Sequence, residues 1–171
     1  MKRNTQKKKI LWICQGGLVA ALYVVLTVLI SSIGLASGAI QLRVSEALCI
    51  LPIFMPAAIP GLTVGCLISN LITNGIWQDV VFGTLATLIG ALGAYGCRYI
   101  RPDTLGAFLA PFPTVLANTL IVPFVLAYGY GMQDGILLLM STVGIGEFLS
   151  AYCLGLLLWV SLRKYKDKLF M

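Results

Sequence analysis

Residues Gly38–Gly83 read GAIQLRVSEALCILPIFMPAAIPGLTVGCLISNLITNGIWQDVVFG, and this stretch decides the fold. Two apolar runs, Val44–Ile59 and Leu62–Ile76, meet at a turn that we predict at Pro60–Gly61. Buried polar groups are expensive in lipid, so their presence at the ends of such runs indicates a function. The pattern predicts a hydrophobic hairpin that forms one wall of a polar cup within a bilayer. The polar side chains at the outer ends of the runs are Arg43, Glu46, Asn70, Asn74, Trp77, Gln78 and Asp79.

The composition is that of a membrane protein. The chain is 59% hydrophobic and 11% charged, whereas soluble domains are about 25% charged. Ile10–Ile33 is much longer than the roughly 7–15-residue core of a cleaved signal peptide, so we predict that it is the first spanning helix. We expect a single transmembrane domain over residues 1–171, with no second soluble domain.

Six apolar segments follow one another and predict an all-α transmembrane bundle over residues 10–162, between basic tails at 1–9 and 163–171. Segments two and three are short for straight spans, and they are either short helices or a re-entrant pair. The positive-inside rule places both termini in the cytoplasm, because eleven of the twelve basic residues then lie inside and only Arg43 lies outside. The segments are approximately Ile10–Ile33, Leu42–Ile59, Gly61–Ile76, Val80–Cys97, Leu105–Tyr128 and Gly135–Leu162.

Small residues on the first helix form two pairs at four-residue spacing, Gly16 with Ala20 and Gly17 with Ala21. Such pairs let two helix backbones approach closely. They serve either internal packing or docking to a partner membrane protein.

Few polar residues fall within the predicted spans. Glu147 and Asn118 lie near the middle of the sixth and fifth helices, where they either bond neighbouring helices or bind a ligand. Arg43 and Glu46 are three residues apart and can pair on one helical face. Asp79 suits the positive end of the fourth helix, and Trp77 suits either a membrane interface or stacking on a ligand.

The charges predict which solutes the cup favours. Arg43 stands against Glu46, Asp79 and the more distant Asp134, and Glu147 adds a deeper carboxylate. A site of this sign favours a cationic solute or one rich in hydrogen-bond donors, such as the N–H edge of a guanine-like ring.

Catalysis and nucleotide hydrolysis are not indicated. The chain has no histidine, its five cysteines form no CxxC pair, and no GxxxxGK[ST] phosphate loop is present. We see no nucleophile–base pair and no metal cluster, so we predict a non-enzymatic subunit of a larger assembly that binds no cofactor itself. A nucleic-acid role is disfavoured, because no folded module accompanies the basic tails.

Five blocks of the chain resemble the queuosine-precursor transporter (QueT) family: GAIQLRVSEAL, LPIFMPAAIPGLTVGCLISNL, DVVFGTLATLIGA, PFPTVLANTLIVP and GIGE. These proteins are the substrate-binding S components of energy-coupling factor (ECF) transporters. The resemblance implies a six-helix bundle in the bacterial plasma membrane with cytoplasmic termini and an extracellular pocket. It also implies docking, through small residues of the first helix, to a membrane coupling subunit that carries two ATPases.

The substrate that the resemblance implies is 7-aminomethyl-7-deazaguanine or a close relative. We expect Glu147 and Asn118 to bind the polar edge of the ring, Asp79 or Glu46 to bind the ammonium, and Trp77 to stack. Two alternatives stay open: an S component for another small vitamin-like solute, and a self-sufficient ion-coupled carrier that uses Glu147 as its relay. The family motifs map onto Arg43, Glu46, Asn70, Asp79, Asn118 and Glu147.

Overall fold

The computed structural model describes residues 2–34, 43–73 and 76–165, and this part of the chain is helical, without strands. Four of its six helices (α1, α4, α5 and α6) are long and apolar enough to cross a membrane, and two (α2 and α3) are shorter. In chain order the helices are α1 (Lys2–Ser32), α2 (Val44–Ile53), α3 (Ala58–Thr73), α4 (Trp77–Cys97), α5 (Asp103–Gly129) and α6 (Ile136–Tyr165).

The six predicted segments are confirmed as helices, and helical structure continues into both predicted basic tails. Helix α1 begins at Lys2, so residues 2–9 are helical and continuous with the first segment. Lysine, arginine and glutamine are good helix formers, and the segment has no glycine or proline. At the other end, Arg163–Tyr165 continue α6 as a short 3-10 turn. A polar loop is predicted at Ser31–Gln41, but Ser31 and Ser32 belong to α1. The rest of that loop from residue 35 onward, Asn74 and the basic residues after 165 lie outside the described residues.

The turn predicted at Pro60–Gly61 is wrong. The chain turns at residues 54–57, where the Phe54 N–H donates to the Leu51 carbonyl, and α3 then begins at Ala58. Pro60 lies in the first turn of α3. A proline is tolerated there because the N–H groups of the first helical turn have no partner within the helix.

Helix α2 lies at the centre of the bundle and contacts all five other helices. It is a 3-10 helix of ten residues, and its side chains from Ser45 to Pro52 are buried. A 3-10 helix rises about 2.0 Å per residue, so α2 covers roughly 20 Å. Its first turn adjoins the start of α4, and Ile53 at its last turn packs near Cys97 at the end of α4. The α2–α3 pair therefore extends along most of the bundle.

Glycine allows α1 and α3 to pack with their backbones in contact. A Cβ atom added to Gly61 would lie 2.6 Å from the Gly16 carbonyl oxygen, and one added to Gly65 would lie 2.8 Å from Tyr23 Cβ. Gly16 and Ala20 thus serve internal packing, which was one of the two predicted roles. The same device brings α4 against α5, where a Cβ on Gly93 would lie 2.4 Å from Pro113.

We predict that Gly61→Ala lowers the free energy of unfolding by about 1–3 kcal/mol, because its methyl group overpacks the α1–α3 contact. Gly17→Ala is the matched control, since no atom lies within 4 Å of its added Cβ. Denaturant titration of the purified protein in detergent measures both changes. Equal stability of the two variants would contradict the close α1–α3 packing.

Candidate functional site

Seven buried or nearly buried polar side chains lie together in the half of the bundle where α4 begins, and we call them the polar cluster. Each of the six helices contributes one of these side chains, and the seventh, Arg43, immediately precedes α2. Six are at most 4% exposed, and the side chain of Arg43 is 13% exposed. The members are Tyr23, Arg43, Glu46, Asn70, Asp79, Asn118 and Glu147.

Arg43 joins the starts of α2 and α4 to the end of α3. Its Nη2 donates to Asn70 Oδ1 at 3.1 Å and lies 3.8 Å from Asp79 Oδ2. Asn70 Nδ2 in turn donates to the backbone carbonyl of Asp79 at 3.1 Å. The predicted pairing of Arg43 with Glu46 is therefore corrected: the carboxylate closest to the guanidinium belongs to Asp79.

Space for this arrangement comes from Gly83, one turn after Asp79. A Cβ atom there would lie 2.9 Å from Asn70 Nδ2 and 3.1 Å from Asp79 Oδ1. Asp79 is also the third residue of α4, where a carboxylate interacts favourably with the helix dipole. The helix dipole and the packing around Gly83 therefore both favour the observed position of the Asp79 carboxylate.

Glu46 connects the polar cluster to α1. Its Oε1 accepts a hydrogen bond from the Tyr23 hydroxyl, and its Oε2 accepts one from Cys49 Sγ at 3.0 Å. Side chains three residues apart are eclipsed in a 3-10 helix, which explains why Glu46 and Cys49 point in the same direction. One turn of α1 further on, Thr27 Oγ1 lies 2.9 Å from Ser45 Oγ.

The structure brings Glu147 and Asn118 together, as the sequence predicted. Asn118 Nδ2 donates to Glu147 Oε2 at 3.3 Å and to the Thr114 carbonyl at 3.2 Å. Asn118 Oδ1 is buried and has no hydrogen-bond partner among the described residues, and the same holds for Ser150 Oγ. Glu147 is followed by a π-helical stretch, Phe148–Leu154, and such stretches are frequent at functional sites.

The charges of the polar cluster influence one another. Glu147 interacts electrostatically with both Glu46 and Arg43, and Arg43 also interacts with Glu46 and Asp79. The cluster is therefore one electrostatic unit, in which three carboxyl groups surround one guanidinium.

Tyr130, in the loop between α5 and α6, covers the Asp79 side of the cluster. Its hydroxyl donates to Asp79 Oδ2 at 3.4 Å. Partial burial, followed by the charge of Asp79, raises the pKa of Tyr130 to about 12. The phenol is therefore a neutral hydrogen-bond donor at physiological pH.

Two predicted site residues lie outside the polar cluster. Trp77 is 66% exposed, in the position expected of a membrane-interface anchor. Gln78 instead lines a cavity of about 360 Å³ between α4 and α5, beside Phe82, Phe124 and Tyr128. Consecutive residues of a helix point in directions about 100° apart, so Asp79 can face the cluster while Trp77 and Gln78 do not.

The four small residues of α1 divide between two faces. Gly16 is buried and Ala20 is half-buried against α3, whereas Gly17 and Ala21 are exposed. Only Gly17 and Ala21 remain accessible for the predicted docking to another protein.

Tyr23, a member of the polar cluster, and several buried polar side chains around the cluster were not predicted from the sequence. Tyr23 follows Gly16 by seven residues and so lies on the same inner face of α1, and this spacing could have identified it. Ser150 lies three residues after Glu147 and could have been found in the same way. Cys49 and Thr114 gave no signal, because thiols and hydroxyls are ordinary in apolar helices. In the described ranges, no group of three or more acidic or cysteine residues is arranged to hold a metal ion.

A helical bundle with an apolar exterior and a buried polar cluster is the architecture of a multi-pass membrane protein. The model of the QueT transporter family matches residues 13–164, and the chain belongs to this family. It is 32% identical over 142 residues to the "Queuosine precursor transporter QueT" of Lactococcus lactis subsp. cremoris (strain MG1363). That alignment covers 79% of this chain and 82% of the relative. No solved structure matches the chain.

We predict that Arg43→Met destabilises the protein by about 3–5 kcal/mol, because it leaves the buried Asp79 carboxylate without its cation. The double variant R43M/D79N should recover much of this loss. Arg101→Met is the control, since its ion pair with Asp103 is exposed and such pairs contribute about 0–1 kcal/mol. Denaturant titration in a zwitterionic detergent gives the free energy of unfolding of all three variants. Equal losses of stability in R43M and R101M would contradict a stabilising role of the Arg43–Asp79 ion pair.

Proposed function

We propose that this chain is the substrate-capture subunit of an ECF-type importer, and that it binds a queuosine precursor such as 7-aminomethyl-7-deazaguanine. Membership of the QueT transporter family supports transport of such a precursor. The observation that carries the proposal is the Glu147–Asn118 pair, which is buried between two helices and has an amide oxygen without a partner.

The chemistry of a deazaguanine ring complements this pair. The ring presents an N–H and an exocyclic amino group on one edge, and a carboxylate can accept from both. We assign these two contacts to Glu147, and the unpartnered Asn118 Oδ1 beside it is a further candidate acceptor. Binding would replace an unsatisfied buried oxygen with a satisfied one, and hydrogen bonds to charged groups contribute about 1.5–3 kcal/mol each.

The aminomethyl group of the substrate is an ammonium at neutral pH. Glu46 and Asp79 are the carboxylates on the other side of the cluster, and both interact with Arg43. The single guanidinium of Arg43 can balance only one of these two carboxylates, and the ammonium of the substrate would balance the other. Trp77 is exposed at the surface, so the proposed contacts do not include it.

The proposed topology has both termini in the cytoplasm and the polar cluster towards the exterior of a bacterial plasma membrane. The distribution of the basic residues supports this orientation. The sequence contains no phosphate loop, so we assign ATP hydrolysis to two partner ATPases and docking to a membrane coupling subunit. The exposed Gly17 and Ala21 of α1 are the surface we assign to that docking.

Calorimetric titration of the purified protein tests the substrate. We expect 7-aminomethyl-7-deazaguanine to bind more tightly than guanine, which lacks the ammonium, and than the whole nucleoside, which is bulkier. Glu147→Gln should weaken binding roughly ten- to a hundredfold, the equivalent of one hydrogen bond to a charged group. Asp134→Asn is the matched control, because Asp134 is an exposed acid outside the cluster.

Two results of this titration would reject the substrate assignment. One is equal affinity for the three compounds, and the other is equal loss of affinity in E147Q and D134N. Tight binding of a different vitamin-like solute would instead favour an S component of other specificity.

A self-sufficient carrier is the second candidate, because Glu147 is a buried carboxylate of the kind that relays ions in secondary transporters. Liposomes that contain this chain alone distinguish the two functions. Substrate uptake driven by a proton or sodium gradient would favour the carrier. Uptake that requires the coupling subunit, both ATPases and ATP supports the importer.

A further inference from the structure

We propose that a cavity at the opposite end of the bundle from the polar cluster binds the phosphate of an anionic phospholipid. The cavity has a volume of about 350 Å³. It lies among the last turns of α2 and α4, the start of α5 and the end of α6. The proposal does not depend on which solute the polar cluster binds.

The cavity is cationic. Among the described residues that line it, Arg98, Arg101 and Arg163 stand against one acid, Asp103, which gives these four side chains a formal net charge of +2. Among the residues that the structure describes, neither Arg98 nor Arg163 has a carboxylate partner. Arginine binds phosphate oxygens through two parallel N–H donors, so three guanidinium groups around one cavity favour a phosphate-bearing ligand.

The Arg101–Asp103 ion pair leaves Arg101 available to a stronger partner. Its two side chains are 77% and 50% exposed, and exposed pairs contribute little stability. A doubly coordinated phosphate can therefore compete with the Asp103 carboxylate for this guanidinium.

Apart from Thr104, the other lining residues are apolar, which favours a lipid over a free anion. Ile53, Phe54 and Ala107 line the cavity together with Trp159, and the guanidinium of Arg163 lies 5.2 Å from the centre of the Trp159 ring. A headgroup phosphate attached to a glycerol backbone and acyl chains matches cationic groups above apolar walls. Basic pockets between membrane helices are known to bind the headgroups of anionic lipids.

The surface around the cavity is suited to the boundary between lipid and water. Tyr99 is 70% exposed, and Phe108 and Leu105 are 55% and 44% exposed. Exposed aromatic side chains near the ends of spanning helices are typical of the interface. Acyl chains that cover Phe108 and Leu105 would continue directly into a headgroup held by the arginines.

Lipid retention by the purified full chain tests the proposal. The protein is loaded with equal amounts of phosphatidylglycerol and phosphatidylcholine, passed over a sizing column and analysed by native mass spectrometry. We expect the wild type to retain phosphatidylglycerol several-fold over phosphatidylcholine, and R98Q/R163Q to lose that preference. K7Q/K8Q removes the same charge outside the cavity and should keep the preference.

Asp103→Asn makes the test independent of damage to folding. This change removes Asp103, the acid among the described lining residues, and releases Arg101, so retention of phosphatidylglycerol should rise above that of the wild type. A selective gain of phosphatidylglycerol separates this effect from misfolding, which would raise non-specific retention of phosphatidylcholine as well.

Several outcomes would overturn the proposal. They are equal retention of both lipids by the wild type, equal loss in R98Q/R163Q and K7Q/K8Q, and unchanged retention in D103N. A competition experiment with millimolar inorganic phosphate distinguishes a lipid headgroup from a free anion. If phosphate alone displaces all bound phosphatidylglycerol and stabilises the protein equally, the cavity recognises a free anion and the lipid assignment fails.

Discussion

A single buried arginine among three buried carboxylates is the constraint on which this structure depends. Arg43 holds Asp79 and Asn70 directly and acts electrostatically on Glu46 and Glu147. Removing charged groups from water costs several kcal/mol for each ion unless partners compensate. The helices must therefore converge where these residues can share hydrogen bonds. The same convergence places three carboxyl groups around one guanidinium, which is the arrangement on which the proposed binding of a cationic, donor-rich solute rests.

Close helix packing makes this convergence possible. Glycine contacts bring α1 against α3 and α4 against α5, so five long or medium helices surround a sixth, α2, that is nearly all buried. In a membrane, such packing replaces the hydrophobic effect as the source of helix association. The polar groups at the centre and the small residues between the helices are thus two parts of one arrangement.

The sequence predicted helix number and the central polar pair, but not the orientation of every side chain. Hydropathy located the helices, and charge in an apolar run marked Glu147 and Asn118 as exceptional. Partner choice was harder: Arg43 and Glu46 are close in sequence, yet Arg43 lies beside Asp79, because tertiary packing brings α4 to the start of α2. The Pro60–Gly61 error has a similar origin, since proline suits both a turn and the first turn of a helix. Trp77 and Gln78 adjoin Asp79 in the chain, but helical rotation turns them elsewhere.

The 3-10 geometry of α2 has a mechanical consequence. Ten residues extend roughly 20 Å in this form and about 15 Å as an α-helix. A switch between the two hydrogen-bonding patterns would shorten the segment by about a quarter without breaking its covalent connections. Because Arg43 precedes this segment directly, such a contraction would draw the guanidinium inward, and Asn70 and Asp79 would have to follow it or release it.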